Sequence, residues 1–288
     1  MQSNKRSSFW LLAAATAPIA HFADCGWLTA AAVALAVLPL ALLPKSWEGM
    51  PKSLALLEIL WLGAVTGILL RGSAVYWPSD SAHAVPLTLL ALAAFTGSAA
   101  APRAGNLMAL CMALLAVPLA ASGAAHLDLN WLRPKISPWP MGLTLALLIP
   151  NLPASGERRS GITLICAGAL ALALSALIQG TISRHVATSV PDAFFQTART
   201  LGYLEPVAAV AMTLGWYAMA VYLFQSAGEV TKSAELSPKL AAVLHTGTST
   251  AVLLFSWQPQ IMKITVLSAF FWVLIPFFMF LKKVKNSA

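Results

Sequence analysis

The sequence predicts an all-α integral membrane protein of about ten transmembrane helices, forming one domain over residues 1–288. Three observations carry this. Charged residues make up 10% of the chain and hydrophobic residues 59%, where an average soluble domain carries roughly 25% charge. So little charge cannot clothe a water-facing surface, and the mean hydropathy of +0.77 points to lipid as the solvent. The apolar residues also gather into runs close to the roughly 20 residues that a helix needs to cross a bilayer. Finally, the basic residues sit singly or in pairs between these runs, with a bias to one side.

The runs fall at 8–23, 27–44, 54–77, 84–101, 106–125, 139–154, 160–181, 203–228, 239–256 and 262–281. Span one begins after Lys5 and Arg6 and ends in the small residues around Ala20 and Ala23, a signal-peptide-like layout. A second apolar run from Trp27 makes it a first span instead. Proline and charge close span two at Pro44, Lys45 and Glu48, and span three at Pro78 and Asp80. Spans four and five are parted only by the stretch around Pro102 and Arg103. Span six is short and proline-rich, and Gly156 to Arg159 separates it from span seven. The one sizeable loop, 183–202, precedes span eight, and its 191–199 segment could lie on the membrane as a short amphipathic helix.

With the N-terminus inside, the inner segments hold Lys5, Arg6, Lys45, Lys52, Arg103, Arg158, Arg159, Lys232, Lys239, Lys282, Lys283 and Lys285. The outer side holds Arg71, Arg133, Lys135, Arg184, Arg199 and Lys263, so twelve of eighteen basic residues are inside. Cytoplasmic segments carry such an excess, which places both termini in the cytoplasm and makes the number of spans even. Tyr76, Trp77, Trp131 and Trp139 lie where an outer aromatic belt needs them.

Several function classes are excluded. The net charge of +8 forms no patch or aromatic-interleaved stripe for nucleic acid. Cys25, Cys111 and Cys166 have no metal or disulfide spacing and read as small apolar fillers. There are no paired carboxylates, nucleophile elbow or histidine cluster, so neither an enzyme nor a cofactor is expected.

Prolines interrupt the first span of each five-span half: Pro18 in span one, Pro150 and Pro153 in span six. Proline frees a backbone carbonyl one turn earlier, and in lipid such groups persist only beside protein or a water-filled cavity. Span one runs outward and span six inward. This predicts a 5+5 inverted repeat, about 8–125 and 139–281, with broken helices 1 and 6 and a midplane site. The candidate substrate-binding residues are Thr16, Ala17, Pro18, Thr66, Leu143, Thr144, Thr213, Trp216 and Tyr217. A broken segment at 16–18 would lack helical hydrogen bonds beside a cavity shared with Thr144 and Tyr217. Gly63, Gly67 and Gly215 read as close-packing positions.

Charged and imidazole groups admit two readings. Glu58, Arg71 and Glu205 either reach to the nearer interface, or Arg71 and Glu205 line an outer vestibule as a pair. His21 and His245 are either hydrogen-bonded packing residues or have a ligand or proton role.

Four stretches carry a family resemblance: Asp24 to Leu28 at the entry to span two; Ala101, Pro102 and Arg103 before span five with Leu127 to Pro134 after it; Pro191 to Arg199; and Leu204, Glu205 and Pro206 with Trp216 eleven residues after the glutamate. In this the chain resembles the B subunits of bacterial spore germinant receptors. These GerAB-like permeases belong to the amino acid–polyamine–organocation (APC) transporter superfamily. The resemblance implies an APC/LeuT-like fold with a small-molecule pocket between spans one, three, six and eight, an amino acid as ligand, and a place in the bacterial cell membrane or spore inner membrane. It further implies a larger membrane subunit and a lipoprotein subunit as partners. An amino-acid or amine permease and a non-binding scaffold subunit are the alternatives.

Overall fold

A computed structural model of the chain describes residues 51–77, 83–99 and 204–255, with isolated positions at 28, 31, 32, 35, 111, 114, 121 and 136. The described segments are all-helical. They form α1 (Lys52–Gly72), a 3-10 turn (Ser73–Tyr76), α2 (Ala84–Ala99), α3 (Glu205–Ser233) and α4 (Pro238–Leu254). These fall on predicted spans three, four, eight and nine. The broken spans one and six and the loop at 183–202 lie outside the described residues, and each repeat half is described only in part.

Local chemistry sets the helix ends. Pro51, with extended ψ, starts α1, and its carbonyl accepts the amides of Leu54 and Ala55 at 3.0 Å each. Glu205 and Pro206 open α3, and Lys232 lies in its last turn. An acid near a helix start, a base near its end and proline at the first positions all suit helix geometry and dipole. After α3 the chain turns in a Schellman motif. The Leu236 amide donates to Thr231 carbonyl at 3.0 Å and the Glu235 amide to Lys232 carbonyl at 3.3 Å. Glu235 holds the left-handed position at φ 51°, where glycine would be relaxed. Ser237 and Pro238 then start α4 at once.

By length and composition, α1 and α3 are able to cross a membrane. At ~1.5 Å per residue the 21 residues of α1 span about 31 Å and the 29 of α3 about 44 Å. The hydrocarbon core is roughly 30 Å thick, so α3 exceeds it, and its last turns expose Gly228, Glu229 and Lys232. The sequence places the end of span eight at 228; the helix runs five residues further, carried by polar residues that hydropathy discounts.

The α1–α4 contact is built on two glycines. A Cβ at Gly63 would lie 2.7 Å from the His245 carbonyl oxygen, and one at Gly67 2.7 Å from that of Ser249 and 2.8 Å from Val252 Cβ. Small residues four apart let two backbones approach this closely. Contacts advance in the same order along both helices, so α1 and α4 run parallel. α3 runs against them: Trp77 meets Thr213, Gly72 lies under Trp216, and Phe224 stacks on His245 beside Thr66. Leu70, Leu90, Ala93, Ala220 and Val221 form a core cluster with Leu89, Tyr217, Phe224 and Leu253 around it.

α2 departs from the expected alternation. Thr96 bonds Tyr217, while Leu89, Leu90 and Ala93 share the cluster with residues further along α3. α2 therefore runs opposite to α3, although spans four and eight are expected to point the same way. Its described part, Ala84–Ala99, has 16 residues and is about 24 Å long.

Two substitutions separate close contact from open space. Gly67→Ala forces α4 away and lowers stability by about 1–3 kcal/mol in detergent melts. Gly247→Ala, with nothing within 4 Å of the new Cβ, stabilises by about 0.5–1 kcal/mol. Equal effects would mean the helices are not in contact as described. Glu235→Gly raises the melting temperature by relieving the left-handed residue, a gain of about 1 kcal/mol.

Candidate functional site

The site is built on threonine. Thr66 Oγ1 donates to the Leu62 carbonyl at 2.8 Å, and Thr96, Thr213 and Thr248 likewise donate to the carbonyls of Leu92, Ala209 and Leu244. In a helix this back-bond takes the hydroxyl's only proton. The oxygen is then an acceptor for a neighbouring helix. Three neighbours use it: Trp77 Nε1–H donates to Thr213 Oγ1 at 3.0 Å, Tyr217 shares a 2.9 Å bond with Thr96, and His245 Nε2 lies 2.9 Å from Thr66 Oγ1. The proton count makes the tyrosine hydroxyl and the imidazole Nε2–H the donors in the last two.

The Thr66–His245 pair is the deepest. His245 is 0% exposed, and Phe224 stacks on its ring at 4.1 Å between centroids and 8° between planes. Ser249, one turn on, has two carbonyls within reach of its single hydroxyl proton, Gly63 at 2.9 Å and His245 at 2.8 Å, and shares the proton between them. Gly63 matters here because its missing side chain opens its carbonyl to α4. With Nε2 carrying the proton, Nδ1 is a bare acceptor, and it has no hydrogen-bond partner among the described residues. An unsatisfied buried polar atom costs roughly 1–3 kcal/mol and calls for a physical reason.

The sequence-expected site residues fall into two groups. Thr213, Trp216 and Tyr217 gather near the end of α1, with Trp216 buried over Gly72. Thr66 lies lower, level with Phe224, about 10 Å further along α3 by helical rise. Thr16, Ala17, Pro18, Leu143 and Thr144 lie outside the described residues, and with them the expected shared cavity. Arg71 and Glu205 are both half-buried. Trp216, eleven residues after Glu205, covers Gly72, the residue next to Arg71. Glu58 is 1% exposed, so it does not reach out to an interface.

The functional residue that sequence reasoning underweighted is His245. As a lone histidine it fitted either packing or a ligand role; its Nε2 is used for packing and its Nδ1 is not. A signal was present. Ala241, His245, Ser249 and Val252 repeat at helical spacing and are the buried face of α4. Among the described residues no group of three or more His, Cys, Asp or Glu could hold a metal.

No protein-family profile matches the chain, and no curated protein sequence matches it.

The Thr66–His245 bond is testable by a double-mutant cycle. Thr66→Val strands the imidazole N–H and costs about 1–3 kcal/mol in thermal unfolding. Adding His245→Phe removes both polar partners and recovers much of that loss. Additive losses would show that the two side chains do not interact.

Proposed function

We propose that the chain is a polytopic membrane protein that binds a small molecule and passes that event to partner subunits, in the manner of germinant-receptor B subunits. The observation that carries the membrane part is the inverted layout of α4. Its buried face holds His245 and Ser249, while Leu240, Val243 and Leu254 are exposed, Val243 at 68%. α2 likewise exposes Leu92 and Phe95. Helices with polar groups inward and apolar groups outward are suited to lipid.

The sensing part rests on the resemblance. Its Leu204, Glu205 and Trp216 stretch forms the start of α3, the helix that carries Thr213, Trp216 and Tyr217. An amino acid is the proposed ligand, held where spans one and six are expected to break and offer backbone groups and helix dipoles. Binding favours one conformer and so biases a larger membrane subunit and a lipoprotein subunit. Both termini are proposed to be cytoplasmic. A scaffold role is the second reading, favoured because the side chains of Thr66, Thr213 and Tyr217 are already engaged in helix–helix bonds.

The test uses the purified full chain and a panel of amino acids, L-alanine first. Sensing predicts a saturable rise in melting temperature with one of them and no uptake into proteoliposomes. Saturable uptake by the chain alone would make it a permease. No shift across the panel would leave the scaffold role.

A further inference from the structure

The bare Nδ1 of His245 lies in a wall that is otherwise hydrogen-bonded. Thr66 fixes the tautomer, because its own proton is committed to the Leu62 carbonyl and it can only accept from Nε2–H. Phe224, face to face with the imidazole, fixes the ring plane. Gly63 and Ser249 complete the α1–α4 contact around the same residue. The Nδ1 lone pair is thus held in one direction by three helices. It is fully buried, and nothing among the described residues donates to it.

We infer that His245 Nδ1 is the acceptor of a small binding position for a neutral O–H donor, between α1, α3 and α4. The neutral class follows from the surroundings. The described contacts of the ring are with a threonine and a phenylalanine, and neither brings a charge. An ammonium group would be desolvated there without a counter-charge, whereas a hydroxyl sheds little. A water molecule and the hydroxyl of a small solute share this chemistry. The inference extends the region around Thr66 to span nine, which the expected pocket between spans one, three, six and eight leaves out. It stands independently of amino-acid sensing.

Nitrogen NMR on the full chain in lipid nanodiscs, with 15N-labelled histidine, reads the position directly. The His245→Gln spectrum identifies the His245 signals among the five histidines. Thr66→Ser, which keeps the hydroxyl, gives the same identification through a small shift if that variant fails to fold. The expected result is a protonated Nε2 and an unprotonated Nδ1 moved upfield, as an acceptor in a hydrogen bond. A cross-peak to water protons assigns the donor as water; a saturable further shift on titrating 1-propanol assigns a solute hydroxyl. An Nδ1 that is itself protonated would overturn the inference, and so would one at the free-acceptor position in both water and 1-propanol.

Discussion

A threonine hydroxyl has one proton, and in these helices it goes to the carbonyl one turn back. That commitment turns each threonine into an outward-facing acceptor at a fixed height on its helix. The neighbouring helices answer with aromatic or imidazole donors: Trp77, Tyr217 and His245. Each such bond contributes only about 0.6 kcal/mol between membrane helices, so it specifies register more than it supplies stability. Thr66 sets the height of α4 against α1. Thr96 sets α2 against α3, and Thr213 ties α3 to the end of α1.

Register alone would not bring the helices close enough. Gly63 and Gly67 do that by letting the carbonyls of His245 and Ser249 sit where side chains would otherwise stand. Close approach in turn exposes the Gly63 carbonyl to the Ser249 hydroxyl and presses the His245 ring against Phe224. The same packing that satisfies Nε2 leaves Nδ1 without a donor among the described residues. A packing device and a candidate binding position are therefore one feature seen from the two sides of a single imidazole.

The helical character of the described segments was legible in the sequence because hydropathy and length report it directly. The glycines were legible too: a Gly63, Thr66, Gly67 cluster in an apolar run signals close packing. The partners were not. Nothing local ties Thr66 to His245, 179 positions away. The reach of α3 to Ser233 was missed because its last turns are polar and held by a Schellman turn with glutamate rather than glycine at the left-handed position. The direction of α2 was missed because nothing local in its apolar run records which way it packs against α3.

The account depends on lipid being the solvent for the exposed apolar faces. Site-directed spin labelling of α4 in nanodiscs tests this most directly, by comparing collision with oxygen, which concentrates in lipid, and with a water-soluble nickel chelate. Labels at Leu240 and Val243 should show high oxygen and low nickel accessibility, and a label at Ala241 should show little of either. High nickel accessibility at Leu240 and Val243 would place that face in water and contradict the account.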